Sequence, residues 1–289
     1  MDLMTRIEEA LHSAVTGWEA PGAPPRLAAA VRAAVFPGGA RIRPRLCLAV
    51  AAACGEPPGR LAIGAATAIE LLHCASLVHD DLPCFDNAPI RRGLPSVHRA
   101  YGERLAVLAG DALIVLAFET LAEAAAEWPR RLAPLTGIVS RGVGMPAGIV
   151  AGQAWECEAT VVLADYQQAK TGALFAAATM AGAASAGADP EAWRELGARL
   201  GEAYQVADDL RDVAGDAAEL GKPTGRDAAL GRPSAARELG VAGAMRRLEH
   251  LVAAAIASIP QCPGAAELRA AMLEETARLL PKQLVRRAA

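Results

Sequence analysis

Apolar residues recur every three to four positions along almost the whole chain, and the alternation that a half-buried strand requires is nearly absent. RIEEALHSAV (6–15), AIELLHCASLVHD (68–80), LAVLAGDALIVLAFETLAEAAAEW (105–128) and LRAAMLEETARLL (268–280) all carry this spacing. A chain patterned this way must bury helical stripes against other helices. The composition agrees: alanine dominates and aromatics make up only 4%, and alanine loses no side-chain entropy in a helix. Breaks fall at APGAPP (20–25), FPGGA (36–40), CGEPPG (54–59), GVGMPAG (142–148), LGKPTG (220–225) and PQCPG (260–264). None is long enough to link independent domains, so the expectation is one all-α, single-domain bundle of roughly ten to a dozen helices spanning 1–289. At 289 residues such a bundle can enclose a sizeable pocket.

Several function classes drop out early. A net charge of −3 gives no electrostatic footprint for nucleic acid. The start, MDLMTRIEEALHSAV, has acids in its first turns and no apolar signal core. The longest uncharged stretch, Thr171–Ala188, is mostly Ala, Gly, Ser and Thr, so it reads as a tightly packed buried helix rather than a membrane span. Six cysteines without framework spacing (Cys47, Cys54, Cys74, Cys84, Cys157, Cys262) read as reduced, buried filler in a cytoplasmic protein.

Against this apolar background, carboxylates gather twice. DDLPCFD (80–86) and ADDLRD (207–212) each follow an apolar helical run. Two carboxylates about 4 Å apart repel by roughly 4 kcal/mol at an effective dielectric of 20, so each cluster must be protonated, exposed or neutralised by a cation. Gln205, Asp208 and Asp212 stand at i, i+3 and i+7 and share a helical face, with Asp209 beside them. Such a row of hard oxygen donors suits Mg²⁺. Asp80 and Asp86 are six apart, but Pro83 breaks the hydrogen-bond ladder, and a helical bulge there would bring Asp86 round beside Asp80. Basic residues accompany the acids: Arg41, Arg43 and Arg45 in GGARIRPR, Arg91 and Arg92 in PIRRGLP, Lys170 in QAKTGAL, and Lys222 and Arg226 in LGKPTGRD. Acids for metal ions plus separate guanidinium and ammonium groups describe a diphosphate site better than a proton-transfer dyad.

GGARIRP, HDDLPCFDN with the following RRG, LAGDALI, GQAWE, KTGALF and YQVADDLRDVAGD with LGKPTGRD resemble, in order and spacing, the trans-prenyl diphosphate synthases. The resemblance covers roughly residues 35–235 and is strongest to bacterial geranylgeranyl diphosphate synthases of carotenoid and bacteriochlorophyll pathways. It implies an all-helical isoprenoid-synthase bundle around a deep central cavity, working as a homodimer on small isoprenoid diphosphates. It implies a Mg²⁺ cluster of three ions, for which Mn²⁺ can substitute, held by Asp80, Asp81, Asp86 and Asp208 and, through water, by Asp209 and Asp212. Arg91 and Lys170 would bind the allylic diphosphate, Lys222 would close over it, and Arg43, His73 and Arg92 would take isopentenyl diphosphate. Thr171 and Gln205 would steady the developing cation. The implied chemistry uses no protein nucleophile: pyrophosphate departs from an allylic substrate, the isopentenyl double bond attacks the carbocation, and pyrophosphate is the base.

The chain departs from the family pattern at four positions. Ala40 stands where the GGKRxRP stretch has Lys, Leu94 where Lys often follows RRG, Arg232 where a second Lys is usual, and Glu156 where GQxxD has Asp. Arg232 stays a substrate-binding candidate, and Arg41 or Arg45 could compensate for Ala40. A weak regulatory subunit of a partner synthase, a farnesyl diphosphate synthase and, more remotely, a class I terpene cyclase or an HD-type phosphohydrolase using His79–Asp80 are the rival readings. Each added isoprene unit buries five carbons, about 4 kcal/mol at ~0.8 kcal/mol per carbon, so something steric must stop growth. By resemblance, Ser76 and Ala75, both small, face the growing tail, while Leu71 and Leu72, one turn (~5.4 Å) deeper, form a floor that stops it near twenty carbons.

Overall fold

Two helices organise the protein. In the computed structural model, which describes residues 2–36, 38–55, 59–214 and 234–277, α4 (Arg60–Asp80) lies against α6 (Glu103–Ala124) along much of its length. Helix α4 buries residues on every side, from Leu61 to Val78, because α1 (Leu3–Gly17), α2 (Pro25–Val35), α3 (Ile42–Ala53) and α10 (Ala173–Ala186) also pack on it. The uncharged stretch beginning at Thr171 forms much of α10, whose residues Leu174–Ser185 are buried throughout. Its small side chains allow α3, α7 (Pro129–Val143) and α11 (Arg194–Ala214) to approach it from three directions.

The ends of these helices follow from local chemistry. The Asp2 carboxylate accepts the Thr5 N–H at 2.9 Å and caps α1, and prolines occupy the first turns of α2 and α7. Helix α4 stops where Pro83 approaches. The only strands among the described residues are two-residue pieces, β1 (Ile90–Arg91) and β2 (Leu94–Pro95), paired antiparallel with Ile90 opposite Pro95 and Arg91 opposite Leu94. Arg92 and Gly93 link them at φ of 53° and 79°, the positive values that suit a tight hairpin turn. The sequence RRG is thus a device for aiming two arginines from one turn.

The remaining elements are α5 (Val97–Tyr101), α8 (Ile149–Ala154), a 3₁₀ turn (Trp155–Cys157), α9 (Leu163–Gln167), a π turn (Gln168–Gly172), α12 (Ala235–Ala257) and α13 (Ala265–Ala277). The core falls into a large cluster around α4 and α6, a second joining α3 and α11 to the C-terminal helices, and a third between α11 and α12. Helices α4 and α6 are each long and apolar enough to cross a membrane. In α4, 78% of that apolar window is buried inside the protein, against 39% in α6. All six cysteines are free thiols. The expectation of buried filler holds for Cys47 and Cys74, is half met by Cys54 and Cys262, and fails for Cys84 and Cys157, which are exposed because they lie in turns rather than on packed helices.

Candidate active site

A cavity of about 600 Å³ opens where the C-terminal end of α4, the C-terminal half of α11, α8, the π turn and the β1 hairpin meet. Asp80 and Asp86 line it from one side and Asp208 and Asp212 from α11; Arg43, His73, Arg91, Lys170, Thr171 and Gln205 share its walls. Leu77, Phe85, Ile90, Ile149 and Val150 add apolar surface. The two acidic segments, more than a hundred positions apart, therefore face a single space.

Asp86 reaches that space by a different route from a helical bulge. The helix ends at Asp80, and the Asp86 N–H donates to the Asp80 carbonyl at 2.9 Å while Leu82 O accepts from Phe85 at 2.9 Å and Asn87 at 3.0 Å. The chain folds back in a compact turn, with Asn87 at positive φ. Burial holds the Asp80 carboxyl above the ordinary carboxylate range; Lys170 opposes that shift and the nearby Asp86 charge adds to it.

The second member of each Asp pair turns away from the cavity. Asp81 is 2% exposed and accepts the Arg91 guanidinium in a short fork, with Nε at 3.0 Å and 3.2 Å from its two oxygens. It borders a smaller cavity of about 220 Å³ behind the hairpin. Asp209 is 1% exposed; it accepts the Gln205 amide at 3.0 Å and the backbone N–H of Ala235, the first residue of α12, at 2.8 Å. Neither Asp81 nor Asp209, the direct and water-mediated metal ligands of the resemblance, is among the residues that line the cavity. Adjacent residues on a helix lie about 100° apart, so one of two neighbouring aspartates must look elsewhere.

Thr171 Oγ1 donates to Gln205 Oε1 at 3.0 Å, joining the π turn to the Gln205–Asp209–Ala235 chain of bonds. Two glycines permit this fit: a Cβ on Gly152 would meet the Lys170 backbone at 2.3 Å, and one on Gly201 would meet Gly172 Cα at 2.6 Å. Lys170 Nζ lies 3.5 Å from Asp80 and 2.5 Å from Glu156.

A basic group forms beside the acids. The Arg43 guanidinium lies 4.5 Å from the Phe175 ring centroid, and its Nη1 is 3.3 Å from His73 Nε2. Arginine can only donate, so His73 accepts there and is neutral. Burial, then the surrounding arginines, push His73 well below its usual value. Arg43 Nε is buried without a partner, a donor held ready for an acceptor. Arg92 Nη2 stands 3.9 Å from the buried Glu70, and its guanidinium packs about 3.0 Å from where a Cβ on Gly39 would lie.

Compensation for Ala40 by Arg41 or Arg45 is not available. Arg41, at φ 49°, is buried and bonded to Glu8 at 2.8 Å, Glu70 at 2.7 Å and the Val35 carbonyl at 3.0 Å. Arg45 makes a two-bond pair with Glu275 at 3.0 and 2.6 Å. Of the four chain-length candidates, Ser76 lines the cavity, whereas Leu71, Leu72 and Ala75 pack in the large core cluster. A helix buried all round offers no polar face from which to read its cavity-facing side. Lys222 and Arg232, with Arg226, lie outside the described residues.

The motif reading did not name Glu70, Tyr166 or Phe175, and treated Glu156 as a departure alone. Their contacts join residues 14 or more positions apart, or, for Tyr166 and Glu156, cross from one short turn to the next element; no local spacing announces them.

The donors around the cavity fit Mg²⁺. No three acid, cysteine or histidine side chains form a ready-made cage among the described residues; Mg²⁺ characteristically takes one or two carboxylates and completes its shell with water and phosphate oxygens. Asp80, Asp86, Asp208 and Asp212 are the carboxylates placed for it, and the crowding of Asp80 by Asp86 is the electrostatic condition a divalent cation relieves.

The polyprenyl synthetase family model matches residues 24–264. The chain is 55% identical to the geranylgeranyl diphosphate synthase of Cereibacter sphaeroides over 282 residues, covering 98% of both chains. It is 53% identical to the geranylgeranyl diphosphate synthase of Rhodobacter capsulatus over 268 residues, 93% of each. Among solved structures, a Helicobacter pylori geranyltransferase complexed with magnesium and isoprenyl diphosphate superposes with a TM-score of 0.80 at 30% identity, covering 96% of this chain and 98% of that one.

Proposed function

The chain belongs to the polyprenyl synthetase family, and from that premise we propose that it is a geranylgeranyl diphosphate synthase, condensing isopentenyl diphosphate with dimethylallyl, geranyl or farnesyl diphosphate. The observation that carries this reading is the convergence of Asp80, Asp86, Asp208 and Asp212 with Lys170 and Arg91 on one cavity that also has apolar walls. The relatives' names supply the product length.

Asp80, Asp86, Asp208 and Asp212 would hold up to three Mg²⁺ ions, and Mn²⁺ is expected to substitute. Bound there, the metal supplies positive charge where pyrophosphate departs. Lys170 and Arg91 bind and orient the allylic diphosphate so that its ester C–O bond can break toward them. Arg43, with its spare Nε, binds isopentenyl diphosphate together with Arg92 and neutral His73. Thr171 and Gln205 present oxygens to the carbon that becomes cationic; their mutual bond fixes those oxygens in advance. The isopentenyl double bond forms the new C–C bond, a proton leaves the adjacent carbon for the released pyrophosphate, and apolar walls keep water from quenching the cation.

The exposed Val107, Leu108 and Val115 of α6 make an apolar face that we assign to the partner in a homodimer. The enzyme would work in the cytoplasm, with carotenoid or bacteriochlorophyll synthesis consuming its product. Purified protein supplied with Mg²⁺, farnesyl diphosphate and isopentenyl diphosphate should release a twenty-carbon diphosphate. Binding without turnover would instead establish a regulatory subunit. Since Ser76 borders the cavity and Ala75 does not, Ser76→Phe should shorten the product toward fifteen carbons, whereas Ala75→Phe overpacks the core and costs about 1–3 kcal/mol. Unchanged product lengths in Ser76→Phe would place the stop elsewhere.

A further inference from the structure

Resting on the prenyl-transfer reading above, we infer that Glu156 is a positioning residue: it draws the Lys170 ammonium toward itself, so that Asp80 keeps only a long 3.5 Å bond from Lys170 that a divalent cation can displace. Lys170 Nζ sits between two carboxylates and lies nearer Glu156, at 2.5 Å, than Asp80, at 3.5 Å. Glu156 is itself held. The Tyr166 hydroxyl donates to its Oε1 at 2.6 Å and the Gln153 amide to its Oε2 at 3.1 Å. The Tyr166 ring lies 5.8 Å from Nζ, completing an aromatic and anionic seat for the ammonium.

The consequence follows from competition for one carboxylate. Lys170 and Asp80 are both largely removed from water, with side chains 21% and 15% exposed, so an ammonium fully paired with Asp80 would have to be displaced before a metal ion could bind. A lysine has three donors; the Glu156 seat engages one from the rim and Asp80 takes a second at 3.5 Å, which leaves a donor for diphosphate oxygens. The backbone carries the same design, because α8 packs on the π turn at Gly152 and so places the 3₁₀ turn bearing Glu156 beside Lys170. An aspartate at 156 would be one methylene shorter, and the seat that Glu156 and Tyr166 build together would loosen.

The test is calorimetric titration of Mg²⁺ into protein saturated with the non-ionising analogue farnesyl thiodiphosphate, which needs no turnover, alongside steady-state kinetics. In Glu156→Gln, the Mg²⁺ concentration at half-saturation should rise about tenfold, the size of one lost charge-assisted hydrogen bond. The KM for farnesyl diphosphate should rise with it, while the isopentenyl KM stays within about twofold. Tyr166→Phe should shift the same titration by about threefold, and Glu156→Asp should recover part of the loss. An unchanged Mg²⁺ titration in Glu156→Gln, equal rises in both KM values, or Glu156→Asp no better than Glu156→Gln would each overturn the inference. Parent protein that binds the analogue but forms no product overturns the prenyl-transfer reading; active parent with an unmoved Glu156→Gln titration overturns this inference alone.

Discussion

The two acidic segments look alike in sequence and are built differently. At 80–81 the helix terminates, and a turn supplies the second cavity-facing carboxylate, Asp86. At 208–212 the helix continues and supplies its second one by periodicity, Asp212. In both, the first aspartate of the pair faces the cavity and the second is buried behind it, but the buried partners differ in kind. Asp81 is met by a charged guanidinium that also reaches toward Asp80 at 3.9 Å. Asp209 is met by an amide and a backbone N–H. The first arrangement stores a cation beside the site; the second ties α11 to the start of α12. Identical dipeptides thus combine one site residue with one structural residue, and the structural residue's partner decides what its loss would do.

The largest expected effect tests the inward–outward split itself. Asp80→Asn and Asp208→Asn should lower turnover by about a thousandfold or more through lost stabilisation of the departing pyrophosphate, with folding intact by circular dichroism. Asp81→Asn and Asp209→Asn should each cost far less; an equal loss would break the comparison. Thermal melting then separates the two buried members. Asp209→Ala strands two donors and should cost about 1–3 kcal/mol, a melting-point drop of roughly 2–4 °C per kcal/mol for a chain near this size. Asp81→Ala should cost less, because Arg91 is 28% exposed and has Asp80 within reach. Its signature lies elsewhere: with Arg91 released toward Asp80, the Mg²⁺ needed for half-maximal turnover should rise by a few fold. A melting loss in Asp81→Ala as large as that of Asp209→Ala would mean the guanidinium has no second partner.

The smallest effect concerns pH. The folded Asp80 carboxyl titrates above its unfolded value of 3.8, so the unfolded state gives up its proton first as pH rises and stability declines through that window. Without Mg²⁺, Asp80→Asn should therefore melt slightly above the parent at pH 7, with the advantage vanishing as pH falls below 3.8. A variant that melts lower at pH 7 would show that Lys170 and Arg91 already compensate the charge.

Much of this was legible before any coordinates. Helical periodicity announced α4, α6 and α11, and the residue types at 80–86, 205–212 and 168–174 announced carboxylates and a cation that line one cavity. What stayed hidden had a common cause. The motif Arg41 is a buried structural cation, Ala75 faces the core rather than the cavity, and Glu156 seats Lys170. Each depends on what lies across the helix or loop from the residue. Local spacing specifies an angle around an element's own axis, and it cannot say what occupies that angle.

The chain alone therefore determined the helical class, the kinds of donor brought to the site and their order along it, because these depend on near-neighbour geometry and side-chain chemistry. Tertiary packing decided which aspartate of each pair meets the cavity, which arginines remain available for substrate, and where the pocket wall lies. Those outcomes depend on helices buried on all sides, where orientation is set by the surrounding helices and not by an apolar stripe against water.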